Sequence, residues 1–163
     1  MIIVIMGVSG SGKTTVGLKL AAALGWKFSD ADGFHSAANV AKMQSGVPLT
    51  DEDREPWLRS IRAAIESWER DEPGHVLACS ALKGCYRDAL APNDSDVKFV
   101  YLRGEFERIA ARLRSRKDHF FNPALLRSQF EALEDPENAL IIDAAHDPAK
   151  IVRLILAAFA PPG

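Results

Sequence analysis

The chain has 163 residues, 47% apolar and 26% charged, a composition typical of one soluble globular domain. Its 20 basic and 22 acidic residues leave a formal charge of -2, so bulk charge predicts neither nucleic-acid nor anionic-membrane binding. No apolar run approaches the roughly 18 residues that cross a bilayer, and no basic leader precedes the first apolar run, so we expect a cytoplasmic protein. Neither cysteine has metal-binding spacing, and both are expected to be free thiols.

Short apolar runs alternate with amphipathic stretches, which predicts an α/β fold with a parallel sheet flanked by helices in three layers. Strands are predicted at 2–6, 27–29, 76–79, 97–102 and 139–143. Helices are predicted at 13–24, 36–44, 83–90, 105–116, 124–133 and 148–159. A further helix begins after Thr50, where Trp57, Ile61, Ile65 and Trp68 recur at helical spacing. We expect these elements to form a single domain over residues 1–163.

The first apolar run leads directly into GVSGSGKTT, which has the G-x-x-x-x-G-K-[ST] spacing of a phosphate-binding loop. Glycines in such a loop let backbone N–H groups approach a polyphosphate. Lys13 is expected to reach the β and γ phosphates, and the Thr14 hydroxyl to bind Mg²⁺. The predicted nucleotide-binding residues are Gly7, Val8, Ser9, Gly10, Ser11, Gly12, Lys13, Thr14 and Thr15.

Two acidic residues follow the short second strand. No NKxD-like segment is present to read guanine, and Ser80 stands where hydrolytic NTPases carry an aspartate, which argues against a switch GTPase. Asp30 and Asp32, two positions apart on a segment predicted to be extended, would point toward one site beside the loop. Asp30 is a candidate magnesium ligand, and Asp32 a candidate acceptor of a hydroxyl proton, although the composition alone would also suit a solvated turn.

Basic residues follow successive strands, where open α/β sheets bind ligands. If the phosphoryl acceptor is an anion, these residues would gather around it; they are His35, Lys42, Arg54, Lys83 and Arg87. Singly, an arginine or lysine on a helix is usually a solvated charge, and a lone histidine is more often structural.

Arginines recur every four residues near 108–116 and predict one strongly basic helix face. Nucleic-acid binding is one interpretation, but the balanced charge and the lack of interleaved aromatic residues argue against it. We favour a lid at about 116–124 whose arginines close over the phosphates and exclude water. Asp118 and Asn122, which flank His119, Phe120 and Phe121, suit such a mobile segment.

Several segments together resemble the GntK-type gluconokinases, P-loop small-molecule kinases near shikimate kinase. They are MGVSGSGKTT, DADGFHSAANVAKMQSGVPLTDEDREPWL, LACSALKGCYRD, RKDHFF and SQFEALE, which span most of the chain. The first marks only the superfamily, whereas the others are specific to the group. The resemblance implies a nucleoside-monophosphate-kinase-like core with a lid, and ATP-dependent phosphorylation of D-gluconate to 6-phospho-D-gluconate with Mg²⁺.

The resemblance also implies roles for individual residues. Lys13, Asp32 and Arg116 would act in catalysis, Arg112 would join the nucleotide site, and Gln129 would join Asp32 and the five basic residues around gluconate. A homodimer is expected on the same basis. The chain departs from the family pattern at Ser36, Gly84, Cys85 and Asp118. Another small hydroxy acid such as shikimate therefore stays open as the acceptor, as does a non-catalytic ATP-binding regulator.

Overall fold

The computed structural model describes residues 1–92, 95–116 and 122–159. Its centre is a parallel sheet of five strands in the order β2-β3-β1-β4-β5. The strands are β1 (Ile2–Met6), β2 (Lys27–Asp30), β3 (His75–Ala78), β4 (Val97–Arg103) and β5 (Ala139–Asp143). The helices are α1 (Lys13–Leu24), α2 (Ala37–Gln44), α3 (Asp51–Asp71), α4 (Gly84–Leu90), α5 (Phe106–Arg114), α6 (Pro123–Ala132) and α7 (Pro148–Phe159), and a 3-10 turn covers Ala31–Phe34.

Every predicted strand and helix is present, and the α/β prediction is confirmed. The ends shift by one or two residues, mostly because capping residues lie just outside their helices. Ser36, for example, precedes α2, and its side chain accepts a hydrogen bond from the Asn39 N–H. The expectation of an extended segment at Asp32 is wrong. The chain turns there because the Asp30 side chain accepts from the Asp32 N–H and so caps the 3-10 turn.

Alternating side chains of β1 enter two different cores. Ile3 and Ile5 pack in a cluster with residues of α1 and α7 on one face of the sheet. Ile2, Val4 and Met6 pack in a second cluster, with residues of α3, on the other face. A strand buried on both faces explains the unbroken apolar run at the start of the chain, and the result is a three-layer α/β architecture.

Helix α3 is the longest helix, with 21 residues, and it supplies one wall of the molecule. It begins with a capping box in which the Thr50 and Asp53 side chains each accept from the other's backbone N–H. Trp57, Ile61 and Ile65 bury its inner face, while the opposite face is charged. Among the residues described, neither this helix nor another is long and apolar enough to cross a membrane.

Gly17 lies inside α1 where the helix meets β2. A Cβ at this position would lie 2.4 Å from Cε2 of Phe28. We expect Gly17→Ala to destabilise the protein by about 1–3 kcal/mol through overpacking, although alanine normally favours a helix. Urea denaturation measures the loss. The control is Gly33→Ala, where a Cβ would meet nothing within 4 Å; equal stability of the two variants would contradict the prediction.

Candidate active site

A cleft of about 640 Å³ opens where β1, β2 and β3 end. This is the carboxyl edge of the parallel sheet, the usual ligand side of such folds, and the volume suits a small-molecule site. The phosphate-binding loop, the Asp30–Asp32 segment, the start of α3, the loop after β3 and one side of α6 line it. The sheet therefore brings segments distant in sequence to a single cavity.

The loop between β1 and α1 has the backbone of a phosphate cradle. Gly10 and Gly12 have φ angles of 78° and 102°, in the left-handed region that favours glycine. Gly10 has no room for a side chain, since a Cβ there would lie 2.8 Å from Cγ of Leu113. Within the loop Val8 and Ser11 are buried, whereas Ser9, Thr14 and Thr15 are exposed. With the N-terminus of α1 behind it, this backbone fits a polyphosphate.

Lys13, the first residue of α1, folds back over the loop. Its Nζ donates to the carbonyl oxygens of Gly7 at 3.0 Å and Val8 at 2.9 Å. Burial lowers the pKa of Lys13, and the charge of Asp32 opposes that shift. The ammonium group thus stands between the loop and the carboxylate segment.

Arg112 of α5 and Arg116, just after that helix, approach the loop from the other side. Arg112 donates to the carbonyl oxygens of Gly10 at 3.1 Å and Ala144 at 3.4 Å. A second cavity, of about 230 Å³, lies against the outer side of the loop and is lined by Arg112, Arg116 and His146. Arg116 also lines the larger cleft, so it stands at the junction of the two cavities. Residues 117–121, which hold most of the predicted lid, lie outside the described residues.

Thr14 and Asp30 place two hard oxygen donors next to each other. The Thr14 hydroxyl donates to Oδ2 of Asp30 at 3.2 Å. The described residues hold no cluster of three or more His, Cys, Asp or Glu side chains that could enclose a metal. Mg²⁺ commonly takes one or two protein oxygens and completes its shell with water and substrate phosphates, so this pair fits Mg²⁺ bound together with a nucleotide.

Asp32 lies on the 3-10 turn and faces the cleft. Its backbone N–H donates to Oδ1 of Asp30 at 2.9 Å, and the buried Trp57 indole N–H donates to the Ala31 carbonyl oxygen at 2.8 Å. Burial raises the pKa of Asp32, Asp30 adds to the rise, and Lys13 opposes it. A carboxylate held this way is a candidate general base.

The far end of the cleft carries a charged network. Lys83 donates to Asp51 at 2.9 Å, and the Tyr86 hydroxyl also donates to Asp51. Arg54 donates to the Leu49 carbonyl oxygen at 2.8 Å and to the Tyr86 hydroxyl oxygen at 3.1 Å. The hydrogen bonds that Asp51 accepts from Tyr86 and Lys83 lower its pKa. Two cations and one carboxylate therefore leave a net positive charge, which suits a singly charged anion.

Three residues predicted at the acceptor have other contacts. Lys42 is not among the cleft-lining residues and pairs with Asp53 at 2.9 Å. Gln129 lines the cleft, but it binds Ser9 of the phosphate loop by accepting from its N–H at 2.7 Å and donating to its hydroxyl at 3.0 Å. Arg87 is also outside the lining and turns toward backbone carbonyl groups. The structure brings His35, Arg54 and Lys83 to the cleft and leaves Lys42 and Arg87 behind it.

Arg87 braces the loop after β3. Its Nη1 donates to the carbonyl oxygens of Ala81 at 2.8 Å and Leu82 at 3.2 Å, and its Nη2 to that of Glu134 at 2.9 Å. Ala81 has a φ of 45°, unusual for a residue with a side chain, so the brace holds a strained turn.

We expect Arg87→Ala to cost about 1–3 kcal/mol of unfolding free energy, because three carbonyl oxygens lose a charged donor. Urea denaturation measures the loss against Arg108→Ala, which alters an exposed arginine of α5. Equal stability of the two variants would show that Arg87 does not brace the loop.

Cys79 is buried at the end of β3, close to Lys13. Burial raises the pKa of Cys79 to about 12, so the thiol stays neutral. Both cysteines are free, as the sequence predicts.

The sequence predicts no functional role for Asp51 and Trp57, which line the cleft, or for Asn39 and Tyr86, which contact the cleft residues His35 and Arg54. For Asp51 and Trp57 the sequence indicates only a helix that begins after Thr50 and carries Trp57 on a stripe at helical spacing. The spacing of Asp51 and Trp57 from Arg54 could have indicated their place in the site, since residues three apart share one face of α3.

The fold and the cleft define a P-loop small-molecule kinase. The family model for shikimate kinase matches residues 9–157. A shikimate kinase from Aquifex aeolicus has a TM-score of 0.61 at 20% identity over 97% of this chain and 95% of its own, which concerns the fold alone.

Relatives with higher identity are gluconokinases. The thermosensitive gluconokinase of Escherichia coli is 47% identical over 91% of this chain and 81% of its own length. A probable gluconokinase from Dictyostelium discoideum is 51% identical over 83% of this chain and 71% of its own length. The crystal structure of a gluconokinase from Sinorhizobium meliloti has a TM-score of 0.83 and 44% identity, and covers 95% of this chain and 89% of that one. The chain belongs to the shikimate kinase family, in its gluconokinase group.

Proposed function

We propose that the protein is a gluconokinase, which transfers the γ-phosphoryl group of ATP to the terminal hydroxyl of D-gluconate and gives 6-phospho-D-gluconate. One observation carries this: Lys13, Asp32 and the Arg54–Lys83 end line one cleft. Phosphoryl transfer needs the attacking and leaving oxygens in line at phosphorus, with a proton acceptor and a phosphate clamp beside them, and little covalent chemistry from the protein. Gluconate, a monoanionic polyol with a terminal hydroxyl, matches that arrangement.

The nucleotide would occupy the loop and the second cavity. Backbone N–H groups of residues 7–15 would hold the phosphates, and Lys13 would neutralise charge on the transferred group. Arg112 of α5 and Arg116, which follows that helix, line the second cavity and would contact the nucleotide. Thr14 and Asp30 would hold Mg²⁺, which neutralises phosphate charge when bound. Residues 116–124 would form the lid.

The acceptor would lie between Asp32 and α3. Asp32 would take the proton of the terminal hydroxyl as its oxygen bonds to phosphorus and the bond to the ADP oxygen breaks. Arg54 would bind the carboxylate, since its guanidinium can make paired hydrogen bonds with one. Lys83, with Asp51, would contact hydroxyl groups. We assign Lys42 to holding Asp53, Arg87 to bracing the loop and Gln129 to holding Ser9.

A homodimer in the cytoplasm completes the proposal. The resemblance to the gluconokinases supports the dimer, and free thiols suit a reducing compartment. Light scattering would measure the assembled mass, and a mass near that of one 17.8 kDa chain would exclude the dimer.

A coupled assay of ADP release with a panel of sugar acids and shikimate tests the activity. We expect gluconate-dependent turnover, and ³¹P NMR of the product should show a phosphomonoester on a primary carbon. Turnover on shikimate but not on gluconate would show that shikimate is the acceptor and gluconate is not. ATP binding without transfer to any acceptor would favour the non-catalytic regulator.

A further inference from the structure

Two histidines stack on two tryptophans of α3, one near each end of the helix. His35 stacks on Trp57, with ring centroids 4.4 Å apart and planes within 8°. His75 stacks on Trp68 at 3.7 Å and 3°. Their hydrogen bonding differs. His75 is buried, and its two ring nitrogens contact Glu72 at 2.7 Å and Ser29 at 2.8 Å, so it is fully satisfied within the fold.

His35 has a hydrogen-bond partner at only one nitrogen within the described part of the chain. Its Nδ1 lies 3.3 Å from Nδ2 of Asn39. No described residue forms a hydrogen bond with its Nε2, and the described residues do not bury that atom completely. Because His35 lines the large cleft, its Nε2 edge is available to a ligand there.

Asn39 decides which nitrogen of His35 carries the proton. The Asn39 side chain is buried, and its amide also lies 2.8 Å from the Asp53 carbonyl oxygen. A carbonyl oxygen only accepts, so the atom facing it must be the NH₂ group. That same NH₂ group faces Nδ1 of His35, which must therefore accept. A neutral ring that accepts at Nδ1 carries its proton on Nε2.

We propose that Asn39 is a positioning residue that holds His35 as the neutral Nε2–H tautomer, which donates a hydrogen bond to an oxygen of the phosphoryl acceptor and supplies no positive charge. Protonation of Nδ1 would set N–H against N–H and break the Asn39 contact. Burial, helped by the Arg54 charge, lowers the pKa of His35, which favours the same neutral form.

The proposal refines the acceptor site and rests on the proposed function for the identity of the acceptor. It leaves Arg54 as the cation for the carboxylate, since Lys83 is paired with Asp51. His35 then belongs with the groups that read hydroxyls. The stack on Trp57 holds the ring plane, and Asn39 holds its rotation, so the Nε2–H donor is already oriented before an acceptor binds.

¹⁵N NMR of labelled histidine at pH 7 tests the tautomer directly and needs no activity. We expect His35 to give a neutral spectrum with a protonated Nε2. In Asn39→Asp a carboxylate would face Nδ1 and draw a proton to it, so the Nδ1 signal should move toward the protonated value.

The matched control is Ser36→Ala. It removes the cap that binds the Asn39 backbone N–H at 3.1 Å and weakens the start of the same helix, yet it does not touch the imidazole. We expect an unchanged His35 spectrum in this variant. Two results would overturn the proposal, whether or not gluconate is the acceptor. One is a wild-type spectrum in which Nδ1 of His35 is protonated, and the other is an Asn39→Asp variant whose His35 spectrum is the same as that of the wild type.

Steady-state kinetics of two variants test whether His35 acts as a neutral hydrogen-bond donor or as a cation. The amide nitrogen of a glutamine side chain can stand in for Nε2–H without a charge, so His35→Gln should keep kcat/KM for gluconate within about tenfold of wild type. His35→Lys supplies a charge in place of the neutral donor and should lose about a hundredfold or more, with the KM for ATP unchanged in both. The reverse order would show that His35 acts as a cation.

Discussion

Lys13→Ala should lower kcat about 100- to 1000-fold, the usual cost of removing one donor aimed at charge that develops in a transition state. Lys13 Nζ lies within hydrogen-bond distance of two loop carbonyl oxygens, so it is already directed into the cradle. As the bond to ADP breaks, charge develops on the phosphate oxygens, and a cation beside them interacts with that charge more strongly. Loss of the ammonium should therefore affect the transition state more than the bound nucleotide.

The measurement is steady-state kinetics with saturating ATP and gluconate, with ATP affinity determined separately by calorimetry. Lys19→Ala, an exposed lysine of the same helix, is the control and should leave kcat unchanged. A Lys13→Ala enzyme with near-normal kcat would contradict the assigned role. A variant that loses ATP binding and kcat in equal measure would show that Lys13 acts in the ground state instead.

The backbone of the candidate phosphate site was predictable from the sequence because the groups that would bind phosphate are local. Backbone N–H groups, glycines with left-handed φ and the lysine all lie within residues 7–15, so spacing alone defines them. Strands and helices were equally predictable, since burial on both faces of β1 leaves an unbroken apolar run and burial of one face of α3 leaves a helical period in the sequence.

The acceptor end of the cleft was only partly predictable, because its charged side chains form ion pairs with residues of other helices and loops. Lys42 and Lys83 look alike as basic residues in loops or helices. One pairs with Asp53 away from the cleft, and the other with Asp51 at its wall. Which carboxylate meets which lysine depends on how α2, α3 and the loop after β3 pack, and no residue spacing encodes that.

Asn39 shows the same limit for hydrogen bonds. It stands four residues after His35, a spacing at which helical side chains meet, but His35 lies outside α2. The contact forms because the Asp53 carbonyl oxygen accepts from the Asn39 side-chain amide and so fixes its orientation toward His35. The nitrogen of His35 that carries the proton thus depends on the carbonyl oxygen of Asp53, which lies 14 residues from Asn39 in the sequence.

Asp32→Asn should lower kcat about 100- to 10,000-fold, the range for loss of a general base, and should spare ATP binding. The amide keeps the size of the side chain and its place on the capped turn but cannot take the hydroxyl proton. Wild-type kcat/KM for gluconate should also fall as the pH falls through a value above the usual aspartate range. The reason is that burial and Asp30 raise the pKa of Asp32 and only the deprotonated form acts as a base. In Asp32→Asn this acid limb should vanish.

Asp30→Asn is the matched control, since it alters the neighbouring carboxylate that contacts Thr14. It should raise the Mg²⁺ concentration needed for half-maximal rate, whereas Asp32→Asn should not. If Asp32→Asn instead weakens ATP and Mg²⁺ binding as much as it lowers kcat, Asp32 belongs to the metal site. If its acid limb persists, another group takes the proton, and the turn held by Asp30 and Trp57 would then serve only to shape the cleft.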